Sequence, residues 1–348
     1  MIYILIVILI IILTIAFGKK TPRFWNKQPI MKVNKNYQQF AIIQKIPPHR
    51  LLFPNKNTKL IISNKGVYDF LNKNFNNQYN INYNYFNLLS NKKNTKNISI
   101  RKNNKIIGFI MCYPVKVNIN SKITEAFYTD YLCVNKSDRG NNIAGLLMGA
   151  LLNIFKGQNK CIIFKKDGLN LPIKPIINSN YYYKDLLEVI PNKIERVEYV
   201  SEENIRVIFD YYQNLLKRYK FYQVYSFEEF KEILIEKKLL QMFIITNKNK
   251  HKTLVLGKAN SYILNKKIYK SFEIDLILGE LSFSKDLDII LSNVLKTEGY
   301  SYYCVPNLAH MAKLIKDCKL KKSQEFFYYI YNATFPKLKL NEFAFNIN

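Results

Sequence analysis

Apolar and polar positions divide the chain into an apolar run at its start and two successive units that mix strand and helix patterns. The first unit begins near residue 60. Its patterns predict a helix at 67–74, strands at 98–102 and 106–113, a strand at 126–134, a helix at 143–155 and a strand at 160–165. The Asn- and Tyr-rich residues 76–87 are assigned no regular element.

The second unit begins near residue 194 and repeats a similar order of elements. Ser201 and Ser226 are each followed by acidic residues, which is typical of a helix start. The predicted helices are 205–217, 227–237, 289–297 and 307–316, and the predicted strands are 242–246, 253–262, 269–278, 300–305 and 325–331. Such alternation is typical of the α/β class with a mixed sheet.

A strand–turn–helix pattern at 129–147 carries the clearest indication of chemistry. The apolar strand ends at Val134, a polar turn contains Arg139 and Gly140, and an apolar helix begins near Ile143. Backbone N–H groups at a helix N-terminus beside an arginine suit a pyrophosphate. The turn resembles the phosphate loop of acyl-CoA transferases, with Asn142 in place of the usual glycine. A strand–turn–helix without a ligand is equally compatible with so short a pattern.

Four segments resemble the glycylpeptide N-myristoyltransferase family, in that family's order. FWNKQPI at 24–30 resembles its Phe-Trp-x-x-Gln-Pro-Val opening, and DYLCVNK at 130–136 resembles its Asn-Phe-Leu-Cys-Val-His-Lys segment. YQVYSFEEF at 222–230 resembles a helix start of its second half, and FFYYIYN at 326–332 resembles its Tyr-Tyr-Leu-Tyr-Asn segment.

The resemblance implies two fused acetyltransferase-like halves of the GCN5-related type around a saddle-shaped sheet. Residues 60–190 would form the acyl-CoA-binding half and residues 191–348 the peptide-binding half. The implied reaction moves a myristoyl group from myristoyl-CoA to the N-terminal glycine amine of a protein or peptide. Myristoyl-CoA is then a co-substrate, and no further cofactor is expected.

The resemblance also implies roles for individual residues. The backbone amides of Tyr131 and Leu132 would stabilise the thioester oxyanion, and the terminal carboxylate of Asn348 would accept the proton of the amine. Tyr83 and Asp130 would contact the peptide, although the family has asparagine at the position of Asp130. The implied acyl-CoA-binding residues are Phe24, Trp25, Leu132, Cys133, Val134, Arg139, Gly140, Asn142, Ile143 and Ala144.

Departures from the family's peptide side leave alternative functions open. Lys166 falls where a catalytic threonine is expected, and Gly257 falls where a pocket tyrosine is expected. A catalytically weak or inactive acyl-CoA-binding homologue is therefore the first alternative. A basic nucleic-acid-binding protein is the second, because the chain has 53 Lys and Arg against 25 Asp and Glu and a formal net charge of +28. No basic helix or aromatic stacking motif supports that second alternative, so no specific nucleic acid is expected.

The cysteines and histidines bear on whether the protein has a metal site or a nucleophilic thiol. The five cysteines form no C-x-x-C pair and the three histidines form no cluster, so no metal site is expected. Buried thiols in a reducing compartment are the simplest interpretation. Cys133 could instead be a nucleophile, although no histidine is near it in the sequence.

The apolar run at residues 2–17 predicts a membrane anchor within residues 1–18. It would span about 25 Å as a helix, slightly less than a hydrocarbon core of ~30 Å. Lys19, Lys20 and Arg23 follow it, so we expect the body, as a monomer, to stay on the cytoplasmic side. A cleaved signal peptide and a buried core segment are the alternatives. Residues 19–59 form a basic lead-in that contains several prolines.

Overall fold

A computed structural model describes residues 40–53, 56–75, 81–168, 171, 174–191, 197–246, 250, 252–264, 267–280, 284–336 and 338–345. The strands are β1 Ala41–Ile42, β2 Thr58–Ile62, β3 Lys96–Lys102, β4 Lys105–Ile119, β5 Lys122–Val134, β6 Ile162–Asp167, β7 Ile177–Asp185, β8 Val197–Tyr199, β9 Phe221–Gln223, β10 Gln241–Thr246, β11 Lys252–Leu264, β12 Lys267–Gly279, β13 Tyr302–Pro306, β14 Lys321–Tyr331, β15 Ala333–Thr334 and β16 Phe343–Ala344. The α-helices are α1 Val67–Asn74, α2 Tyr83–Asn91, α3 Ile143–Ile154, α4 Ile205–Leu216, α5 Phe227–Lys231, α6 Ser284–Thr297 and α7 Met311–Asp317.

One mixed sheet of fourteen strands forms the centre of the described part of the molecule. Its main path runs β16-β9-β4-β5-β6-β14-β7-β13-β12-β11-β10-β8, while β3 pairs with β4 and β2 pairs with β3. The short strands β1 and β15 pair separately. Strands from the two predicted units lie side by side, because β14 pairs with both β6 and β7. The predicted α/β class with a mixed sheet is confirmed.

The same arrangement occurs twice along the chain. The antiparallel pair β4–β5 is followed by α3 and by β6, which is parallel to β5. The antiparallel pair β11–β12 is followed by α6 and by β13, which is parallel to β12. Each antiparallel pair also contains a bulge, at Phe109/Met111 in the first and at Leu256/Gly257 in the second. This internal repeat agrees with two fused acetyltransferase-like halves.

Helices cover both faces of the sheet around β4. Val67 and Phe86, from α1 and α2, belong to the apolar core on one face, and Leu147 of α3 belongs to the core on the other. Burial on both faces explains why most side chains of β4 from Ile107 to Tyr113 are apolar and buried.

Several predicted bounds agree closely with the structure. Helix α1 has the predicted limits, and α5 begins as predicted, with Ser226 and Glu229 forming a complete capping box. The predicted helix 227–237 changes to a π-helix at Glu232–Glu236. Helix α6 begins at Ser284, five residues before its predicted start, and α7 begins at Met311, four residues after its predicted start.

Other expectations were wrong. The stretch 76–87, assigned no element, contains the start of α2, where the side chain of Asn82 accepts a hydrogen bond from the backbone N–H of Tyr85. Strand β7 was not predicted. Ser201 does not cap α4: its N–H donates to Oδ1 of Asn204, which is the N-cap residue and makes no side-chain cap.

The predicted membrane anchor at residues 2–17 lies outside the described residues. Among the helices of the described ranges, none combines the length and the apolar character that a bilayer crossing requires.

Candidate active site

A cleft opens where the parallel strands β5 and β6 separate. The two strands pair only from Phe127 opposite Ile162 to Thr129 opposite Phe164. Beyond these residues β5 continues along β4, whereas β6 continues along β14. Ligands of α/β proteins bind in crevices at the carboxyl ends of such diverging strands.

A bulge in β5 forms one wall of the cleft. The pairing of β5 with β4 shifts between Asp130 and Cys133, and Tyr131 and Leu132 have no paired residue in the register. A bulge bends its strand and removes backbone groups from the ladder. The bulge therefore coincides with the two residues whose amides were predicted to stabilise an oxyanion.

Tyr131 has a left-handed backbone, with φ +52°. This conformation costs a non-glycine residue about 1–3 kcal/mol and requires support from its surroundings. Its ring lies between Phe75 and Phe86, with both ring centroids at 5.7 Å. Its backbone N–H donates to Oδ1 of Asp130 over 2.7 Å.

The turn between β5 and α3 has the backbone of an anion-binding loop. Gly140 has φ +89° and Asn142 has φ +56°, so asparagine adopts the conformation for which glycine is usual. Helix α3 then begins at Ile143, and its first N–H groups have no intrahelical acceptor. Arg139 lies beside them and donates from Nε to the carbonyl of Val134 over 3.4 Å.

Close packing holds α3 against β4. A Cβ atom added to Gly108 would lie 2.7 Å from Cγ2 of Ile143 and 3.0 Å from Cδ1 of Leu147. The absence of a side chain at Gly108 therefore sets how near the N-terminal turn of α3 approaches the sheet.

One cavity of about 950 Å³ joins the loop, the bulge and the far end of the cleft. Ten predicted residues line it together: Asp130, Tyr131, Leu132, Cys133, Val134, Arg139, Gly140, Asn142, Ile143 and Ala144. Its apolar wall includes Met148, Leu151 and Phe164. The cavity can therefore contact an anion, a carbonyl group and an apolar chain at successive positions.

Cys133 is buried in this lining. Burial raises the pKa of its thiol to about 11, although the charge of Arg139 opposes the shift. A thiol with so high a pKa stays protonated at neutral pH, and this disfavours a nucleophilic role.

Charged side chains from both halves meet at the far end of the cavity. Asp130 on β5 and Lys165 on β6 face Lys258 on β11 and Glu273 on β12. Nζ of Lys258 lies 3.9 Å from Oε2 of Glu273. The carboxylate of Asp275, on the same strand as Glu273, attracts the ammonium group of Lys165 electrostatically. We call these five residues the charged cluster.

Burial shifts the ionisation of two members of the charged cluster. Burial raises the pKa of Asp130, while the hydrogen bond from the Tyr131 amide and the charges of Lys165 and Lys258 lower it. Burial lowers the pKa of Lys165 to about 8, against the attraction of Glu273. Nζ of Lys165 also lies 4.7 Å from the ring centroid of Phe326.

The remaining predicted residues lie apart from the cavity or outside the described ranges. Tyr83 is 54% exposed and packs edge-on against Tyr68, whereas Tyr85 lines the cavity. Phe24, Trp25 and Asn348 are outside the described residues.

Sequence analysis missed most of the charged cluster. Lys165, Lys258 and Glu273 are charges within predicted strands, separated by up to 108 residues along the chain. An uncommon charge inside an apolar strand was the available signal, but only the sheet order shows that these strands face one cavity.

Comparisons with known proteins agree with this geometry. Residues 50–160 match the family model described as myristoyl-CoA:protein N-myristoyltransferase, N-terminal domain. A putative glycylpeptide N-tetradecanoyltransferase of Amsacta moorei entomopoxvirus is 24% identical over 346 residues, covering 92% of this chain and 99% of that protein. By these two matches the chain is similar to the N-myristoyltransferase family, at low sequence identity.

Two further comparisons give a second similar sequence and a similar fold. A glycylpeptide N-tetradecanoyltransferase of Plasmodium falciparum is 23% identical over 189 residues, or 47% of this chain and 46% of that protein. The structure of Saccharomyces cerevisiae N-myristoyltransferase with bound myristoyl-CoA aligns with a TM-score of 0.76 at 14% identity, covering 95% of each chain. At that identity the structural likeness shows the N-myristoyltransferase fold.

Proposed function

We propose that the protein transfers a myristoyl group from myristoyl-CoA to the N-terminal glycine amine of a protein or peptide. The observation that carries this proposal is the single cavity that joins an anion-binding loop to the bulged strand at Tyr131 and Leu132. Similarity to glycylpeptide N-tetradecanoyltransferases supports the choice of myristoyl-CoA and of a glycine acceptor.

Each part of the cavity suits one part of the proposed reaction. The loop at Gly140 and the first turn of α3 would bind the phosphates of coenzyme A, with Arg139 supplying charge. The amides of Tyr131 and Leu132 would donate to the thioester oxygen, whose negative charge grows as the amine attacks. The amine nitrogen forms the new amide bond, the C–S bond breaks, and coenzyme A leaves as its thiolate.

The attacking amine must first lose a proton, and we place this role on the terminal carboxylate of Asn348. The ring of Phe345 is fully buried, 6.0 Å from that of Tyr128, and Tyr128 lines the cavity. Residues 346–348 lie beyond the described part of the chain. A protein extended by several residues after Asn348 should lose transfer, whereas an equal extension before Met1 should not.

The direct test is transfer of myristate from myristoyl-CoA to a synthetic peptide that begins with glycine. We expect a peptide product of the acylated mass, and none with the N-acetylated peptide, because its amine is blocked. Arg139→Ala should weaken myristoyl-CoA binding about tenfold or more, through loss of a charge-assisted contact. Arg206→Ala is the matched control, since Arg206 is exposed on α4 and pairs with Asp210.

Two outcomes would contradict the proposal in different ways. Tight myristoyl-CoA binding without transfer would favour an inactive acyl-CoA-binding homologue. Salt-sensitive binding of nucleic acid without myristoyl-CoA binding would favour the nucleic-acid alternative.

The location of the protein is a separate part of the proposal. We place the anchor at residues 2–17 and the body, as a monomer, on the cytoplasmic side. The apolar run and the basic residues after it support this placement. Resistance of the full-length protein to alkaline extraction from membranes, and release of a variant without residues 2–17, would be the expected result.

A further inference from the structure

The carboxylate of Asp130 occupies a hydrogen-bond donor that the proposed reaction needs. Its Oδ1 accepts from the N–H of Tyr131 over 2.7 Å. This N–H is one of the two amides at the bulge. A thioester oxygen at the same donor would compete with a carboxylate oxygen, and the negative charge that develops on it would be repelled by Asp130. With Asp130 in this position, the cavity is poorly prepared for attack on the thioester.

The surroundings of Asp130 favour an additional positive charge. The charged cluster holds three carboxylates, Asp130, Glu273 and Asp275, and two ammonium groups, Lys165 and Lys258. Their formal charges therefore sum to one negative charge. An N-terminal ammonium entering the cavity would neutralise that charge.

Within the described residues, the tyrosines around Asp130 add no positive charge to the charged cluster. Tyr85 of α2, Tyr113 of β4 and Tyr128 of β5 each face the negative charge of Asp130, and burial raises the pKa of all three hydroxyls. They are neutral at physiological pH. The positive charges that act on Asp130 are those of Lys165 on β6 and Lys258 on β11.

We propose that Asp130 acts as an electrostatic latch: it holds the Tyr131 amide until the acceptor ammonium arrives, then turns to that ammonium and frees the amide for the thioester oxygen. This inference rests on the proposed function. It makes Asp130 a positioning residue for the oxyanion and a specificity determinant for a charged acceptor. Water carries no charge and does not release the latch, so myristoyl-CoA is protected from hydrolysis while no acceptor is bound.

The latch is tested by measuring hydrolysis and transfer separately. Purified full-length wild type, Asp130→Asn and Asp130→Ala are mixed with myristoyl-CoA, and release of the coenzyme A thiol is followed without peptide. Transfer to a glycine peptide is then measured by mass spectrometry. Asp185→Asn is the matched control. Asp185 is the last residue of β7 and does not line the cavity, and its Oδ1 accepts a hydrogen bond from the backbone N–H of Leu187 over 2.8 Å.

We expect Asp130→Ala to raise peptide-independent hydrolysis ~10-fold or more, because an oxyanion donor becomes available. Its KM for the peptide should rise by a similar factor, since the ammonium loses an opposite charge. Asp130→Asn keeps the shape of the side chain and an oxygen that can accept from the Tyr131 amide. Its rate of myristoyl-CoA hydrolysis should therefore lie between the rates of wild type and Asp130→Ala. The control should match wild type in both assays.

The ratio of hydrolysis to transfer distinguishes a latch from a structural role, because misfolding lowers both rates. Suppose that the wild type transfers myristate to the peptide, but that neither Asp130 variant hydrolyses myristoyl-CoA faster than the wild type. This result would overturn the latch and leave the proposed function standing. Absence of transfer by wild type to every glycine peptide would instead overturn the proposed function, and the latch with it.

Discussion

Replacement of Gly108 by alanine tests whether the contact between β4 and α3 positions the phosphate loop. The added Cβ would lie 2.7 Å from Cγ2 of Ile143, roughly 1 Å closer than the ~3.7 Å at which two carbon atoms pack. Leu147 at 3.0 Å restricts movement in the other direction. Helix α3 must therefore move away from the sheet, and overpacking of this kind costs about 2 kcal/mol of unfolding free energy.

The same movement should weaken binding of myristoyl-CoA. Ile143 is the first residue of α3, so its displacement carries the N–H donors away from the phosphates. Loss of one charge-assisted hydrogen bond corresponds to about a tenfold rise in Kd. Calorimetric titration measures the Kd, and thermal unfolding should show a Tm lowered by ~2–5 °C.

Gly157→Ala provides the matched control at the other end of α3. Gly157 has φ +74° and no neighbour within 4 Å of an added Cβ. Alanine there costs about 1 kcal/mol through backbone strain alone, with no contact to the loop. It should lower the Tm and leave the Kd unchanged. A Gly108→Ala protein with wild-type Kd and wild-type Tm would refute the proposed coupling.

Three further predictions concern single side chains. Cys133→Ser should retain transfer within a few-fold, because a thiol with a pKa of about 11 is not the nucleophile; complete loss of transfer in a folded protein would contradict this. Lys165 has a folded pKa of about 8 against 10.5 ordinarily, so the unfolded chain binds more protons between these values. The stability of wild type relative to Lys165→Met should therefore rise from pH 8 to pH 10.5, by up to about 2 kcal/mol in urea unfolding, and a flat difference would argue against a buried charge. Ser226→Ala should remove the capping box of α5 at a cost of about 1 kcal/mol without changing the Kd for myristoyl-CoA, and no loss of stability would mean that the cap contributes nothing.

Local sequence patterns predicted a helix or strand correctly where the segment itself contains the hydrophobic period of that element and its capping residues. Helix α1 was predicted with its exact bounds because its apolar residues recur at helical spacing. Helix α2 was missed because Tyr and Asn are weak helix formers, and Asn82 was not recognised as its N-cap. Strand β7 was missed because its polar residues become strand only between β13 and β14, which come much later in the chain.

The candidate site was predictable to the extent that it is local. The loop from Arg139 to Ala144 follows directly from a strand, a turn and a helix start. The oxyanion role of the Tyr131 amide was expected only from the family resemblance, since an extended apolar run does not reveal a positive φ. Tertiary pairing decides the burial of Lys165, because the strands opposite it belong to the second half.

The position of β14 has a consequence for how the chain is made. Its residues 321–331 lie between β6 and β7 and pair with β6 about 160 residues earlier in the chain. While a ribosome is still synthesising the second half, β6 presents an open edge on the side that β14 later fills. Such edges recruit other chains, and distant pairing is slow. We therefore expect nascent chains of this protein to depend on chaperones until the last strands emerge.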